Sequence, residues 1–280
     1  MKIAHLILCH AYPGQLKRLV GKLAHEDAHF YIHVDRKAGI DPFLPVGNEP
    51  GVFFIERRVK VKWAGYSQVQ AILNSLEEIL ASGTEYDYIN VLSGQDYPIK
   101  STSEIHKFLA DHPGKAFMHT LRVEDEWKEA MPRLTKYHLS DWSFPGKFGL
   151  ERLMNAILPR RKQPGSIVFV GRSSWFTLTP VCAAYILKYI REHTSFRRFF
   201  RLTWGADEMV FQTVLYNSPL REHMENDNLL YVDWSEGKRN PKVLTMDDAG
   251  ALKTSKKFFA RKFNSDIDNK ILDYLDSITF

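Results

Sequence analysis

The sequence predicts an α/β protein with a mostly parallel, Rossmann-type sheet flanked by helices. Two observations support this prediction. Short apolar runs, typical of strands buried on both faces, alternate with segments whose apolar residues recur at helical spacing. Such alternation produces parallel strands connected by helices. The composition, 44% hydrophobic and 25% charged residues, is that of a globular protein.

The first hundred residues show the clearest alternation. The predicted strands span 3–9, 30–34, 52–55 and 86–92. Tyr12-Pro13-Gly14 leads into the first helix, and the second helix follows Tyr66 with Ser67 as its predicted N-cap. Apolar residues on this second helix recur every three or four positions from Val69 to Leu80, so one of its faces is expected to pack on the sheet.

The second half is less regular. Its predicted strands span 117–119, 167–170, 175–178 and 229–232, and its predicted helices include 180–192 and 207–216. A last helix is predicted from Ser265, with Asp268 completing a variant capping box. The residues expected to be buried on it are Ile267, Ile271, Leu272 and Leu275. No linker divides the halves, so a single domain is predicted over 1–280.

The charge balance predicts an anionic partner without identifying it. The chain carries 38 Lys and Arg against 33 Asp and Glu, a net charge of +5. A nucleic acid, a phosphorylated ligand or an acidic membrane would each suit this charge. The sequence contains no zinc, RRM or helix-turn-helix motif, so nucleic acid is not an expected partner. No segment resembles a membrane span.

The cysteines and the N-terminus predict a cytoplasmic location. Cys9 and Cys182 provide neither a disulfide framework nor metal-ligand spacing, and both are expected to be buried small hydrophobic residues. The apolar stretch at the N-terminus is too short for a secretory signal peptide and instead predicts the first core strand.

Acidic residues follow two predicted strands, at the edge where open α/β sheets bind ligands. His33 and Asp35 close the second strand, and Ser93-Gly94-Gln95-Asp96 closes the fourth. Asp35 could accept hydrogen bonds from a nucleotide base or a ribose. Gly94 permits a tight turn or a close approach of the backbone to a neighbouring group. The alternatives are a charged strand exit at Asp35 and an ordinary Asx-type turn at 93–96.

A further acidic motif, Gly205-Ala206-Asp207-Glu208, precedes a predicted helix. Asp207 is its predicted N-cap, which would place Glu208 in the first turn, where the helix dipole favours an ionised carboxylate. A carboxylate held in this way suits a general base that deprotonates a hydroxyl. Because acids are common at helix starts, a purely structural role is the alternative.

Basic residues cluster near the C-terminus. Five of them are interleaved with phenylalanines between Lys253 and Phe263, and Lys262 is one of the five. Cations turned inward there would neutralise a diphosphate, and Arg239 is positioned in the sequence to join them. The alternative is a solvated basic face.

Two central patches mix aromatic or apolar residues with polar and basic ones. The patch that contains Arg133 and Tyr137 is typical of sugar-stacking surfaces, with ordinary surface as the alternative. Residues 147–163 predict a basic amphipathic helix. Such a helix either contacts a membrane surface peripherally or packs its apolar face on the core.

Seven collinear segments resemble the family of core-2/I-branching β-1,6-N-acetylglucosaminyltransferases and peptide O-xylosyltransferases. They lie at 31–37, 63–65, 89–99, 171–176, 206–215, 231–234 and 259–263. Trp63-Ala64-Gly65 and the segments at 211–215 and 259–263 favour the xylosyltransferase branch. Residues 117–165 match poorly, and the choice of acceptor is expected to depend on them.

The resemblance implies a GT-A-like fold and inverting transfer from a UDP-sugar, with GlcNAc or xylose as the sugar. The acceptor would be a hydroxyl on a glycan, a lipid-linked precursor or a peptide. Residues 1–110 would form the nucleotide-sugar-binding half and 111–280 the acceptor-binding and catalytic half. Glu208 maps onto the catalytic base, and Lys262 and Arg239 onto the cations that receive the diphosphate. No metal and no other cofactor is expected.

The resemblance also assigns further contacts. The expected donor contacts are His10, Ala11, His33, Asp35, Gly94, Gln95 and Asp96. Trp175 and Trp234 are expected to pack against sugar rings, and Arg133 and Tyr137 to complete the acceptor site. The Asp266-Ile267-Asp268 motif is expected to cap the last helix and not to bind a metal.

Residues 1–280 contain no counterpart of the secretory anchor, stem and cysteine bridges of the animal enzymes. We therefore expect a bacterial-type cytoplasmic enzyme, peripheral at the inner membrane face, that acts in polysaccharide biosynthesis. A non-catalytic nucleotide-sugar-binding protein on the same fold is the alternative. Glu208 and Lys262 together favour the enzyme, because a binding protein needs no base.

Overall fold

The computed structural model describes residues 1–278, which contain twelve strands and ten α-helices. The strands are β1 (Ile3–Cys9), β2 (Ala28–Val34), β3 (Val52–Phe54), β4 (Tyr88–Ser93), β5 (Asp96–Pro98), β6 (Ala116–Phe117), β7 (Thr120–Arg122), β8 (Val170–Arg172), β9 (Phe176–Leu178), β10 (Met224–Glu225), β11 (Leu230–Val232) and β12 (Phe259–Arg261). The α-helices are α1 (Pro13–Lys22), α2 (Tyr66–Ala81), α3 (Thr102–Ala110), α4 (Met131–Thr135), α5 (Lys147–Ile157), α6 (Pro180–Glu192), α7 (Thr194–Arg201), α8 (Val210–Tyr216), α9 (Ala249–Thr254) and α10 (Lys270–Ser277).

A seven-stranded sheet in the order β10-β6-β9-β4-β1-β2-β3 forms the centre of the fold. Strand β9 pairs antiparallel with both of its neighbours, and the other neighbouring pairs are parallel. The predicted α/β class, with a mostly parallel sheet flanked by helices, is confirmed. Strands from both halves of the sequence share this sheet.

Strand β1 is buried along its whole length because both faces of the sheet are covered. Ile3 and Ile7 face the cluster that contains α1, and Leu6 and Leu8 face the cluster that contains α2 and α6. Side chains alternate between the faces of a strand, so a strand covered on both sides needs a continuous apolar run. Full burial of each such side chain contributes about 1.5–3 kcal/mol.

A three-stranded sheet, β11-β12-β5, joins the C-terminal region to the turn after β4. Strand β12 runs antiparallel to β5, with Arg261 opposite Asp96. The buried side chain of Gln15 reinforces this junction, because its Nε2 donates to the carbonyl of Gly94 at 2.9 Å and its Oε1 accepts from the N–H of Ser265 at 2.9 Å. The two ends of the chain therefore meet beside the carboxyl edge of the main sheet.

Two predicted helix starts are wrong, because the serine predicted at each start is hydrogen-bonded to a residue distant in the sequence. Gly65, not Ser67, occupies the N-cap of α2, and Ser67 Oγ donates to Asp141 at 2.6 Å. The last helix begins at Lys270 and not at Ser265, whose N–H is held by Gln15. Ile267 therefore lies outside the helix and is 61% exposed, whereas the other three apolar residues predicted on it are buried.

Asp268 does cap α10, although in a different register from the prediction. Its Oδ1 accepts from the N–H of Lys270 at 2.8 Å and from that of Ile271 at 3.3 Å, while Oδ2 accepts from the N–H of Met246. These contacts satisfy backbone groups at the start of a helix, which is the role expected of the motif.

Helix α5 contradicts one of the two interpretations of 147–163. None of its residues is buried, so the interpretation of a helix that packs its apolar face on the core is wrong. Within residues 1–278, every helix is too short or too polar to cross a membrane.

Candidate active site

A cleft with a volume of about 740 Å³ opens at the carboxyl ends of β1, β2 and β4. Glu208 and Lys262, which lie 54 positions apart in the sequence, both line it. The predicted donor residues His10, His33, Asp35, Gln95 and Arg239 line it as well, and so do the predicted sugar contacts Arg133, Trp175 and Trp234. The cleft occupies the position where open α/β sheets bind ligands.

His33 and Asp35 fasten the loop after β3 to the end of β2. His33 Nε2 accepts from the N–H of Val59 at 3.0 Å, and burial lowers the pKa of the ring, so it stays neutral. Asp35 Oδ1 accepts from the N–H groups of Lys37 at 2.9 Å and Val61 at 3.3 Å. These bonds set the position of the 59–64 loop, which forms one wall of the cleft.

The turn after β4 is built for close packing. A Cβ on Gly94 would lie 2.9 Å from the Cβ of Cys9, so glycine is needed for the close approach of β4 to β1. Asp96 is fully buried, and its Oδ2 accepts from the N–H of Ser93 at 2.8 Å. Neither Gly94 nor Asp96 lines the cleft; of the predicted Gly94–Asp96 loop only Gln95 does, and Ala11 is also outside the lining.

Lys262 brings a positive charge to the cleft without a compensating carboxylate. No residue in 1–278 forms an ion pair with its ammonium group, in contrast to Lys257, which Asp227 holds at 2.6 Å. Burial and, next, the charge of Arg261 lower the pKa of Lys262, and Lys262 in turn helps to lower the pKa of the nearby His10 ring. A partly buried charge of this kind costs some free energy unless an anion pairs with it.

Tryptophan rings hold two guanidinium groups at the cleft. The Cζ of Arg133 lies 4.7 Å from the ring centre of Trp127 and 4.3 Å from that of Trp204. The Cζ of Arg239 lies 4.1 Å from the ring centre of Trp63 and 5.8 Å from that of Trp204. Such stacking fixes a guanidinium plane while its charge stays available.

The turn that carries Glu208 is a 3-10 helix, Ala206–Glu208, which precedes α8. A Cβ on Gly171 would overlap the carbonyl oxygen of Glu208 and lie 2.8 Å from the Cα of Met209, so only glycine lets β8 pass this close. On the other side, the N–H of Gly205 donates to the carbonyl of Ala64 at 2.8 Å. Two of the seven family-like segments, 63–65 and 171–176, therefore fix the position of Glu208.

Arg133 contacts the carboxylate of Glu208 directly. Its Nη1 lies 2.5 Å from Glu208 Oε2, and both side chains are partly buried. The sequence predicted an acceptor contact for Arg133 and did not predict this ion pair. With Oε2 held by Arg133, Oε1 has no hydrogen-bond partner in the described part of the chain.

Asp207 is not the N-cap of a helix, as predicted, but a buried acid in the wall of the cleft. Ser174 Oγ donates to its Oδ2, while its Oδ1 has no partner within residues 1–278. Burial, followed by the adjacent charge of Glu208, raises the pKa of Asp207 to about 7. Residues 207 and 208 therefore place two acids of unlike environment side by side.

Tyr137 lies outside the cleft lining. Its N–H and carbonyl pair with the side chain of Asn155 on α5, and its hydroxyl donates to the carbonyl of Pro159. Trp175 does line the cleft, and the Cζ of Arg261 lies 4.7 Å from its ring centre. The side chain of Trp234 is 49% exposed at the cleft rim, where a ring can stack on it.

Several cleft residues were not predicted as site residues: Trp63, Asp207, Arg172, Trp204 and Arg261. Trp127 belongs to the sequence patch of Arg133 that was predicted to stack on sugars, and it does line the cleft. Trp63 was part of a recognised segment, but nothing in the sequence linked it to Arg239. Trp204 directly precedes Gly205, and this adjacency was the available signal. Arg261 was part of the basic cluster, but its contact with Asp96 at 3.5 Å depends on strand pairing.

The fold and the cleft define an α/β protein whose ligand site carries an acid and unpaired cations. Residues 3–256 match the family described as Core-2/I-Branching enzyme, so the chain belongs to this family of glycosyltransferases. Membership confirms the predicted family, and the mostly parallel sheet confirms the predicted α/β class. The matched residues include Glu208 and end before Lys262.

Individual relatives are xylosyltransferases. Xylosyltransferase 2 of Rattus norvegicus is 29% identical over 306 aligned positions, which cover 99% of this chain and 33% of the relative. The xylosyltransferase of Ciona intestinalis is 24% identical over 302 positions, which cover 99% and 34%. The chain thus spans about a third of the length of these relatives. The structure of mouse xyloside xylosyltransferase 1 in its apo form overlays with a TM-score of 0.48 at 11% identity and covers 93% of this chain and 97% of that one.

Replacement of Asp207 by Asn is expected to change how stability depends on pH. The pKa of Asp207 is raised from 3.8 to about 7 on folding, so the folded state holds this proton more tightly. Its contribution to the free energy of unfolding is complete below about pH 4 and is lost as the pH rises through about 7. The stability of the wild type relative to Asp207→Asn should therefore fall across this window, by on the order of 4 kcal/mol.

Urea denaturation at a series of pH values measures this difference. Asp247→Asn, which changes an exposed acid outside the cleft, is the matched control. A difference between the wild type and Asp207→Asn that stays constant from pH 4 to pH 8 would contradict the assignment.

Proposed function

We propose that this protein transfers a sugar from a UDP-sugar to an acceptor hydroxyl with inversion at the anomeric carbon. The observation that carries the proposal is that Glu208 and Lys262 line one cleft. An inverting displacement needs a base on the side of the attacking hydroxyl and positive charge on the side of the leaving diphosphate. The cleft offers an acid and unpaired cations for these two tasks.

Glu208 is the proposed base. The acceptor oxygen attacks the anomeric carbon, its proton passes to Glu208, and the bond between that carbon and the diphosphate oxygen breaks. The electron pair of that bond leaves with UDP. Arg133, which is held between Trp127 and Trp204, fixes Oε2 of the carboxylate and leaves Oε1 to accept the proton.

Lys262 and Arg239 are the proposed partners of the diphosphate. Both line the cleft, and neither forms an ion pair with a carboxylate in residues 1–278. A diphosphate would relieve the cost of burying the Lys262 ammonium, and a guanidinium stacked on Trp63 is already oriented for phosphate oxygens. We infer that these side chains, without a metal ion, balance the charge of the leaving group.

The donor and the acceptor belong to the same proposal. The relatives named xylosyltransferases favour xylose as the sugar, with GlcNAc as the second candidate. The proposed acceptor is a glycan, a lipid-linked precursor or a peptide. The proposed location is the cytoplasm, and the proposed role is in polysaccharide biosynthesis. Thermal shift with UDP-xylose, UDP-GlcNAc, UDP-glucose and UDP-galactose identifies the donor.

Glu208→Gln is expected to lower transfer by roughly 100-fold or more, the usual contribution of a general base, while UDP binds almost as before. The glutamine keeps the shape of the side chain and its contact with Arg133 but cannot take a proton. Product formation and calorimetric UDP titration measure the two effects. Glu222→Gln, an exposed change outside the cleft, is the control, and full activity of Glu208→Gln would exclude Glu208 as the base.

Lys262→Ala is expected to weaken UDP binding and to slow turnover, because the diphosphate loses a partly buried cation in the ground state and in the transition state. Calorimetry with UDP and steady-state kinetics measure both quantities. The matched control is Lys256→Ala, an exposed lysine of the same segment that does not line the cleft. Equal UDP affinity in the wild type and in Lys262→Ala would place the diphosphate elsewhere.

Treatment with EDTA is expected to leave transfer largely intact, because the proposed charge balance is made by side chains. Residues 1–278 contain no cluster of three His, Cys, Asp or Glu side chains suited to a metal ion. The initial rate after exhaustive chelation, with and without added manganese, is the measurement. Loss of activity that manganese restores would refute the metal-independent mechanism.

A further inference from the structure

Helix α5 presents its polar side to the protein and its apolar side outward. On the inner side, Glu151 Oε2 accepts from the N–H of Leu139 at 2.9 Å. Asn155 Oδ1 accepts from the N–H of Tyr137 at 2.8 Å, and its Nδ2 donates to the carbonyl of Tyr137 at 2.8 Å. A helix on the surface of a globular protein normally has the opposite orientation.

The outward side of α5 is apolar, and the segments that flank it also expose large apolar side chains. Leu150, Leu153 and Ile157 recur at helical spacing, and Leu153 is 54% and Ile157 69% exposed. We name the exposed apolar residues the α5 face: Trp142, Phe144, Phe148, Leu150, Leu153, Ile157 and Leu158. A concentration of exposed apolar side chains within one short segment is typical of an interaction site.

Unpaired cations border the α5 face. Residues 142–163 include five basic residues (Lys147, Arg152, Arg160, Arg161 and Lys162) and a single acid, Glu151, which points inward. Arg152, Arg160 and Lys162 are exposed and form no ion pair within residues 1–278. A second copy of the chain on this face would bring these like charges together, whereas an anionic surface would pair with them.

The segment that follows α5 is anchored to the rest of the protein by Arg161. Arg161 Nη1 donates to the carbonyls of Arg133 at 3.2 Å, Lys136 at 3.0 Å and Leu202 at 2.9 Å. Its guanidinium also stacks on Phe199, with Cζ 3.9 Å from the ring centre. Arg161 therefore anchors this segment, whereas Arg152, Arg160 and Lys162 are exposed.

The same region adjoins the cleft. Lys62 Nζ donates to Ser143 Oγ at 3.0 Å, and Trp63, the next residue, lines the cleft. A surface that covers the α5 face would therefore lie beside the cleft mouth.

We propose that the α5 face docks on the surface of an anionic lipid bilayer. The apolar side chains enter the interface between headgroups and acyl chains, and Arg152, Arg160 and Lys162 pair with lipid phosphates. Interfacial helices bind in this way through buried apolar area and attraction to anionic lipids. This proposal concerns binding alone and does not depend on the sugar-transfer activity.

Co-sedimentation with vesicles tests the proposal. The wild-type chain is expected to bind phosphatidylcholine vesicles with about 30% phosphatidylglycerol, to bind less as salt rises, and to bind pure phosphatidylcholine much more weakly. Leu153→Asp with Ile157→Asp should weaken binding roughly tenfold or more. Val181→Asp with Ile267→Asp, at residues 66% and 61% exposed elsewhere, makes the same charge change and should bind as the wild type does.

A second variant keeps the test valid if the circular dichroism spectrum of Leu153→Asp with Ile157→Asp shows that this variant is unfolded. Arg160→Gln with Lys162→Gln removes cations only and should reduce binding to anionic vesicles while leaving the spectrum unchanged. The proposal fails if the wild type does not bind anionic vesicles, or if the control and α5-face variants lose binding equally. It also fails if the wild type is a dimer that Leu153→Asp with Ile157→Asp dissociates and that does not bind vesicles.

Discussion

A buried carboxylate joins the segment after β4 to the C-terminal strand β12 beside the cleft. Asp96 accepts from the backbone of Ser93, at the end of β4, and faces Arg261 Nε at 3.5 Å across the β5–β12 pairing. Burial raises the pKa of Asp96, and the charge of Arg261 opposes this rise. Loss of one partner from such a pair commonly costs about 3–5 kcal/mol. Because Lys262 follows Arg261, this contact decides where the unpaired ammonium enters the cleft.

The charges of the cleft are arranged in unlike environments. Glu208 is paired with a guanidinium between two tryptophans, and its neighbour Asp207 is buried with one oxygen unpartnered. Lys262 has no carboxylate partner in the described residues. The unpartnered oxygen of Asp207 and the unpaired ammonium of Lys262 do not stabilise the fold, since polar groups removed from water without partners are destabilising. Perturbed acids and bases that share a cleft are typical of functional sites, where a ligand supplies the missing partners.

Glycine and tryptophan residues fix the positions of several side chains in the site. Gly171 lets the backbone of Glu208 approach β8, and the Trp63-Ala64-Gly65 segment supplies both a carbonyl for Gly205 and a ring for Arg239. These contacts are among fixed backbone and stacked planes, which lose little conformational freedom when a ligand binds. The cleft is therefore organised before its ligand arrives.

The sequence by itself determined the strands of the main sheet other than β10, the helices α1, α2 and α6, and the family. Most of the predicted site residues also line the cleft. These follow from local patterns, because a strand buried on both faces must be apolar throughout and a packed helix must repeat every three or four residues. Glu208 and Lys262 were recognisable because their neighbours form collinear motifs.

The tertiary structure decided the features that depend on partners distant in the chain. Ser67 and Ser265 were predicted at helix starts, but Asp141 and Gln15 hold them, and Asp207 lies in a cleft wall because Ser174 is there to donate to it. The amphipathic pattern of α5 could not show which side faces inward, since that depends on the backbone groups of 137–139. Periodicity reveals that a helix has two faces, but only the groups packed against it determine which face is buried.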